Sequence, residues 1–127
     1  KPIFKEGDYT FESGYIAALE LLTSSSQVNA IVCVNSFMAL GVIEAIKSLK
    51  LSVLGDVSVV SIDDSPTVSW FPYLLTIWRQ PIEQMNEVTI DTLLNEVNCK
   101  SDVPQGVWLR GTIIEKDSFR NTNKNYI

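Results

Sequence analysis

The apolar positions of this chain change their period several times, and each change marks an element. Pro2 to Glu6 is a short, partly apolar stretch that reads as a strand, followed by a loop at Gly7-Asp8-Tyr9-Thr10. From Phe11 to Leu22, residues Tyr15, Ile16, Leu19 and Leu22 fall on one helical stripe, with Thr10 or Ser13 available as caps. Ser24-Ser25-Ser26 breaks that helix. Ile31-Val32-Cys33-Val34 is a continuous apolar run rich in β-branched residues, the pattern of a strand buried on both faces of a parallel sheet. Asn35-Ser36 then supplies a turn and a helix N-cap. Phe37 to Leu49 places Met38, Val42, Ala45, Ile46 and Leu49 on one side of the next helix.

The same alternation continues downstream. Leu51 to Gly55 connects to a second β-branched run, Val57 to Ile62, which ends in Asp63-Asp64-Ser65-Pro66. Pro66 opens a turn or short helix toward Phe71. Leu74 to Trp78 makes a third run. Gln80-Pro81 leads into a long helix from Ile82 to about Val97, with Pro81 at a favoured first-turn position. Its stripe of Met85, Val88, Thr89, Thr92, Leu93 and Val97 is only moderately apolar. Lys100 to Gln105 is a polar loop, Val107 to Glu115 alternates as a strand does, and residues 119–127 form a polar tail. Strand and helix in this order predict an α/β fold, a parallel sheet with flanking helices.

In such a sheet the carboxyl ends of the strands line one edge, where ligands bind. That edge carries Asn35-Ser36, Asp63-Asp64 and Arg79-Gln80. Amide and carboxylate groups at fixed positions suit a ligand with several hydroxyls or ring NH groups, because an unmatched partner leaves a polar group unpaired. Tyr9, Trp70, Phe71 and Trp78 are aromatics able to stack on a sugar or base. Asn35 and Asp63 read equally well as a helix cap and a turn-forming residue.

Composition narrows the chemistry. The 127 residues, 46% hydrophobic and 20% charged, suffice for one domain with a core. A net charge of −5, without a basic stripe, argues against direct nucleic-acid binding. The absence of histidine removes Ser–His and Cys–His catalysis from this chain, and with it the commonest metal ligand. The scattered glycines form no phosphate loop. No enzyme activity, cofactor or metal site is expected. Cys33 and Cys99 read as two structural thiols of a reducing compartment. No apolar run is long enough to span a membrane. Because Lys1 falls inside a predicted strand, a fragment of a longer protein is expected.

Several segments, in order, resemble the lactose-repressor (LacI/GalR) family of transcriptional regulators. Gly7-Asp8-Tyr9-Thr10-Phe11-Glu12-Ser13-Gly14 is similar to the family's G-(D/F)-(Y/W/F)-(S/T)-x-x-S-G. Asn35-Ser36-Phe37-Met38-Ala39-Leu40-Gly41 resembles N-D-x-M-A-L-G. Asp56-Val57-Ser58-Val59-Val60-Ser61-Ile62-Asp63-Asp64 resembles D-V-S-V-(V/I)-G-(F/Y)-D-(D/N), and Leu75-Thr76-Ile77-Trp78-Arg79-Gln80-Pro81 resembles L-T-T-(I/V)-x-Q-P. Lys116-Asp117-Ser118 is similar to a closing R-x-S.

The resemblance implies most of a C-terminal subdomain of periplasmic-binding-protein-like (type I) architecture over residues 1–118. The helix at 82–97 would belong to the partner subdomain of the intact protein. It implies a cytoplasmic, homodimeric sensor of a small sugar or purine effector, contacting DNA only through a separate N-terminal helix-turn-helix domain. Effector contacts map onto Tyr9, Asn35, Asp63 and Gln80, and dimer contacts onto Met38, Leu40, Trp70 and Phe71. A solute-binding protein for transport is the alternative on the same fold. Departures are Ser36 for Asp, which removes one potential effector carboxylate, Lys50 for a helix-ending Gly, Leu54 for a loop Pro and Ser61 for a Gly. Phe71-Pro72-Tyr73 shifts the family's proline by one position.

Overall fold

A computed structural model describes residues 2–24, 28–63, 75–99 and 106–120. The elements run α1 (Phe11–Ser24), β1 (Ala30–Cys33), α2 (Ser36–Ser48), β2 (Ser58–Ile62), β3 (Thr76–Arg79), α3 (Ile82–Cys99) and β4 (Thr112–Ile114). The four strands lie in chain order in one sheet. β1, β2 and β3 are parallel, with Ile31 beside Val59 and Ser61 beside Ile77. β4 returns antiparallel to β3, with Ile113 beside Trp78, so the sheet is mixed.

The core lies on one face of this sheet. Ile31, Cys33, Val59 and Ile77 point toward α2, which also packs on α1. Being covered from both sides, α2 buries nearly all its residues from Ser36 to Ile46, more than the predicted stripe. α1 turns Gly14 and Ala18 inward, with Tyr15, Leu19 and Leu22 packed around them, while Ile16 faces solvent. The two helices approach through a pair of glycines. A side chain at Gly14 would meet the Met38 backbone, and one at Gly41 would meet the backbone of Phe11 and Tyr15. Burial pushes the Cys33 thiol up to about 12, so it stays protonated.

Three expectations are corrected. β1 is buried on one face only: Val32 is 69% exposed, because the described helices α1 and α2 cover the opposite face. Pro2 to Glu6 is not a strand. All five residues are exposed and none pairs with the sheet, and Pro2 lacks an amide proton to donate to a ladder. The expected strand from Val107 to Glu115 shortens to Thr112–Ile114, paired with β3 alone.

The chain after β4 is tied across β2 and β3. The Ser118 hydroxyl accepts from the Thr76 amide at 2.7 Å and donates to the Val59 carbonyl at 2.6 Å. Arg120, placed in the polar tail by its sequence, donates its amide to the Ser58 hydroxyl and its guanidinium to the Gly55 carbonyl. α3 is different: none of its residues from Ile82 to Asn98 is buried, and Ile90, Leu94 and Val97 are exposed. No described helix is long and apolar enough to cross a membrane.

Candidate functional site

Residues 8–13 form a self-bonded entry to α1. Asp8 Oδ1 accepts from both the amide and the hydroxyl of Thr10, at 3.1 and 2.6 Å, and the Asp8 amide donates to the Ser13 hydroxyl. Thr10 caps the helix by accepting from the Ser13 amide at 3.1 Å. These bonds span Tyr9, whose φ of 70° is left-handed and which is 67% exposed. The Thr10 hydroxyl, then Ser13, holds the Asp8 carboxyl below its ordinary value.

At the carboxyl end of β1, Asn35 caps α2. Its Oδ1 accepts from the Met38 amide at 2.8 Å, and its Nδ2 donates to the Tyr9 carbonyl at 2.9 Å. The cap reading of Asn35 therefore holds, and the same side chain fixes Tyr9 beside it. At the end of β2, Asp63 has φ of 94°. Its amide donates to the Trp78 carbonyl at 3.1 Å, and its own carbonyl accepts from the Ser36 hydroxyl at 3.1 Å. Among the described residues, two of the four non-glycine residues with positive φ are thus the candidate ligand residues Tyr9 and Asp63. Such strain is held only where surrounding bonds over-determine it.

A hydrogen-bonded edge now runs from Tyr9 through Asn35 and Ser36 to Asp63 and Trp78. Gln80 follows two residues after Trp78, half-buried, its carbonyl accepting from the Ile82 amide. The structure therefore brings Tyr9, Asn35 and Asp63 together and sets Gln80 just beyond the end of β3. The Trp78 indole lies against Gly111, where a Cβ would collide with it, so part of its stacking surface is occupied.

Other expectations fare differently. Ser36 is 1% exposed, its hydroxyl turned to the Asp63 carbonyl rather than to solvent. Met38 and Leu40, expected at a dimer surface, are covered within the chain, at 9% and 8% exposure. Met38 fills the core beside α1, close to Gly7 and Gly14. Trp70 and Phe71, and the carboxylate of Asp64, lie outside the described residues. What the sequence reading missed is the contact of Ser36 with Asp63. No local spacing signals a bond between residues 27 apart.

A groove of about 400 Å³ lies elsewhere, between α3 and the segment before β4, lined by Met85, Val88, Leu93, Val107 and Leu109 among others. None of Tyr9, Asn35, Asp63 or Gln80 lines it. Among the described residues, no three His, Cys, Asp or Glu side chains gather as a metal site would require.

The described residues form an α/β unit with helix-packed parallel strands and polar groups gathered at their carboxyl ends, the edge where open α/β sheets bind ligands. The chain belongs to the periplasmic binding protein-like domain family, whose profile matches residues 1–119, and within it to the effector domains of the LacI/GalR family. It is 39% identical over 97 residues to the HTH-type transcriptional regulator MalR of Streptomyces coelicolor, covering 76% of this chain and 28% of MalR. Among solved structures it is similar to the transcriptional regulator CelR in complex with cellobiose, with a TM-score of 0.80 and 26% identity over 89% of this chain and 35% of that one. It is also similar to the lac repressor dimer bound to operator and the anti-inducer ONPF, with a TM-score of 0.77 and 28% identity over 89% of this chain and 34% of that one. The chain spans about a third or less of the length of these relatives.

Proposed function

We propose that this chain is the effector-binding and dimerisation region of a LacI-type transcriptional regulator. It takes a small sugar-like or purine-like ligand, and ligand binding alters operator affinity through a helix-turn-helix domain outside the chain. The observation that carries this reading is the hydrogen-bonded edge that joins Tyr9, Asn35 and Asp63 at the ends of β1 and β2. Tyr9 supplies a stacking face, Asn35 and Asp63 supply polar contacts to hydroxyls or ring nitrogens, and Gln80 supplies an amide at the crossover. The likeness to CelR with its cellobiose supports a sugar ligand.

The exposed α3 supports the reading that this helix completes the partner subdomain of the intact protein. The ligand is then enclosed between two lobes, and lobe closure biases the DNA-bound form. The working protein is a cytoplasmic homodimer, and its activity is regulatory rather than catalytic. Titration of the chain with cellobiose, lactose and hypoxanthine, followed by tryptophan fluorescence, tests the site. Saturable binding of one of them, abolished by Asp63→Ala, is expected; unaltered affinity in that variant removes Asp63 from the site. Light scattering tests dimerisation, with Trp70→Ala expected to lower the dimer fraction.

A further inference from the structure

We infer that Ser36 is a positioning residue for Asp63: its hydroxyl holds the Asp63 peptide in the left-handed geometry that sets the direction of the carboxylate at the binding edge. This inference rests on the effector-site reading for its functional consequence, and on the geometry alone for the positioning itself.

Asp63 has φ of 94°, a region that non-glycine residues leave unless something holds them there. Its peptide groups are gripped from two elements. The amide donates to Trp78 on β3, and the carbonyl accepts from Ser36 on α2. The β3 bond holds the amide side of Asp63, and the Ser36 bond holds its carbonyl side and links the start of α2 to the end of β2. Ser36 is 1% exposed, and the Asp63 carbonyl is the acceptor its hydroxyl reaches.

The residue type matters. An ionised Asp at position 36 presents only acceptors, and two acceptors facing each other repel. A hydroxyl donates to the same carbonyl. Ser36 at the start of α2 and left-handed Asp63 are therefore a matched pair.

The test needs no ligand in its first arm. In the isotope-labelled 127-residue chain, backbone couplings read together with the intraresidue amide–Hα NOE report the sign of φ at Asp63, and hydrogen exchange reports its amide bond to Trp78. In Ser36→Ala, the Asp63 coupling is expected to move toward negative φ, and its amide to exchange about tenfold faster, while Val59 and Ser61 stay protected. Ser36→Cys, which keeps the shape with a weaker donor, is expected to fall between the two. An unchanged coupling and exchange rate at Asp63 in Ser36→Ala overturns the inference. So does loss of protection spread evenly over β2, since that marks general destabilisation. The second arm is cellobiose titration. Weaker binding in Ser36→Ala, with retention in Ser36→Cys, carries the positioning through to function. Cellobiose binding that ignores both Ser36→Ala and Asp63→Asn contradicts the effector-site reading, whereas the coupling at Asp63 still decides the positioning.

Discussion

The side-chain amide of Asn35 donates to the backbone carbonyl of Tyr9 at 2.9 Å, while its oxygen caps α2 through the Met38 amide. One residue thereby joins the loop before α1 to the end of β1. The two bonds are separable. Asn35→Ala loses both and is expected to cost about 1–2 kcal/mol in chemical denaturation. Asn35→Asp retains the cap, favoured by the helix dipole, but sets an oxygen against the Tyr9 carbonyl. It is expected to recover most of the stability and to leave the Tyr9 region mobile by amide exchange.

The spacing of that edge depends on how closely α1 and α2 approach. Gly41 lies against the backbone of Phe11 and Tyr15, which no rotamer change relieves. Gly41→Ala is expected to lower stability by about 1–3 kcal/mol, the range for overpacking a filled core. Unchanged denaturation would mean that the helices separate freely.

Lys50 and Leu54 stand where the LacI/GalR pattern has Gly and Pro, and both have positive φ, 59° and 73°. Lys50 ends α2 in a Schellman arrangement, its amide on the Lys47 carbonyl and that of Leu51 on the Ile46 carbonyl. Lys50→Gly is expected to raise stability by about 0.5–1 kcal/mol. Leu54→Pro, which restores the family residue, is expected to destabilise. Proline is locked at negative φ, and the Leu54 amide donates to the Val57 carbonyl at 2.9 Å. Thermal melts of the two variants should therefore shift in opposite directions.

The turn that presents Tyr9 is sensitive to acid. The Thr10 hydroxyl, and after it Ser13, lowers the Asp8 carboxyl below 3.8. A depressed folded-state value contributes stability that is present above the unfolded-state value and lost as pH falls through the folded one. The contribution of Asp8 to order around Tyr9 should thus be complete down to about pH 4 and decline as pH falls through the depressed Asp8 value. An NMR titration is expected to place Asp8 below 3.8, and Thr10→Val, which removes the largest cause, to bring it back toward that value.

These features differ in how far the sequence reveals them. The cap at Asn35 and the helix from Ser36 follow from local residue types, and so do the runs that become β2 and β3. The apolar run at Ile31–Val34 does not show how many of its faces are covered. Alternate residues are equally apolar, and the outcome at Val32 depends on which helices lie over the sheet. Lys50 and Leu54 are visible as departures in the sequence, but only their φ values explain them. The Ser36–Asp63 bond joins residues brought together by the β1–α2–β2 crossover, beyond the reach of local pattern. Met38 and Leu40 show the converse: a motif match marks the positions but not whether they face outward.

If the proposed effector binds at the carboxyl edge of the sheet, the amides of the edge residues must respond to it. Amide chemical shifts of the labelled chain, followed through titrations with cellobiose, lactose, ribose and hypoxanthine, read that response residue by residue. Saturable shifts concentrated at Tyr9, Asn35, Asp63 and Gln80 for one of these ligands are the predicted result. Shifts that gather instead at Met85, Val88 and Leu93, along the groove of α3, or that leave the four edge residues unmoved with all of them, would contradict it.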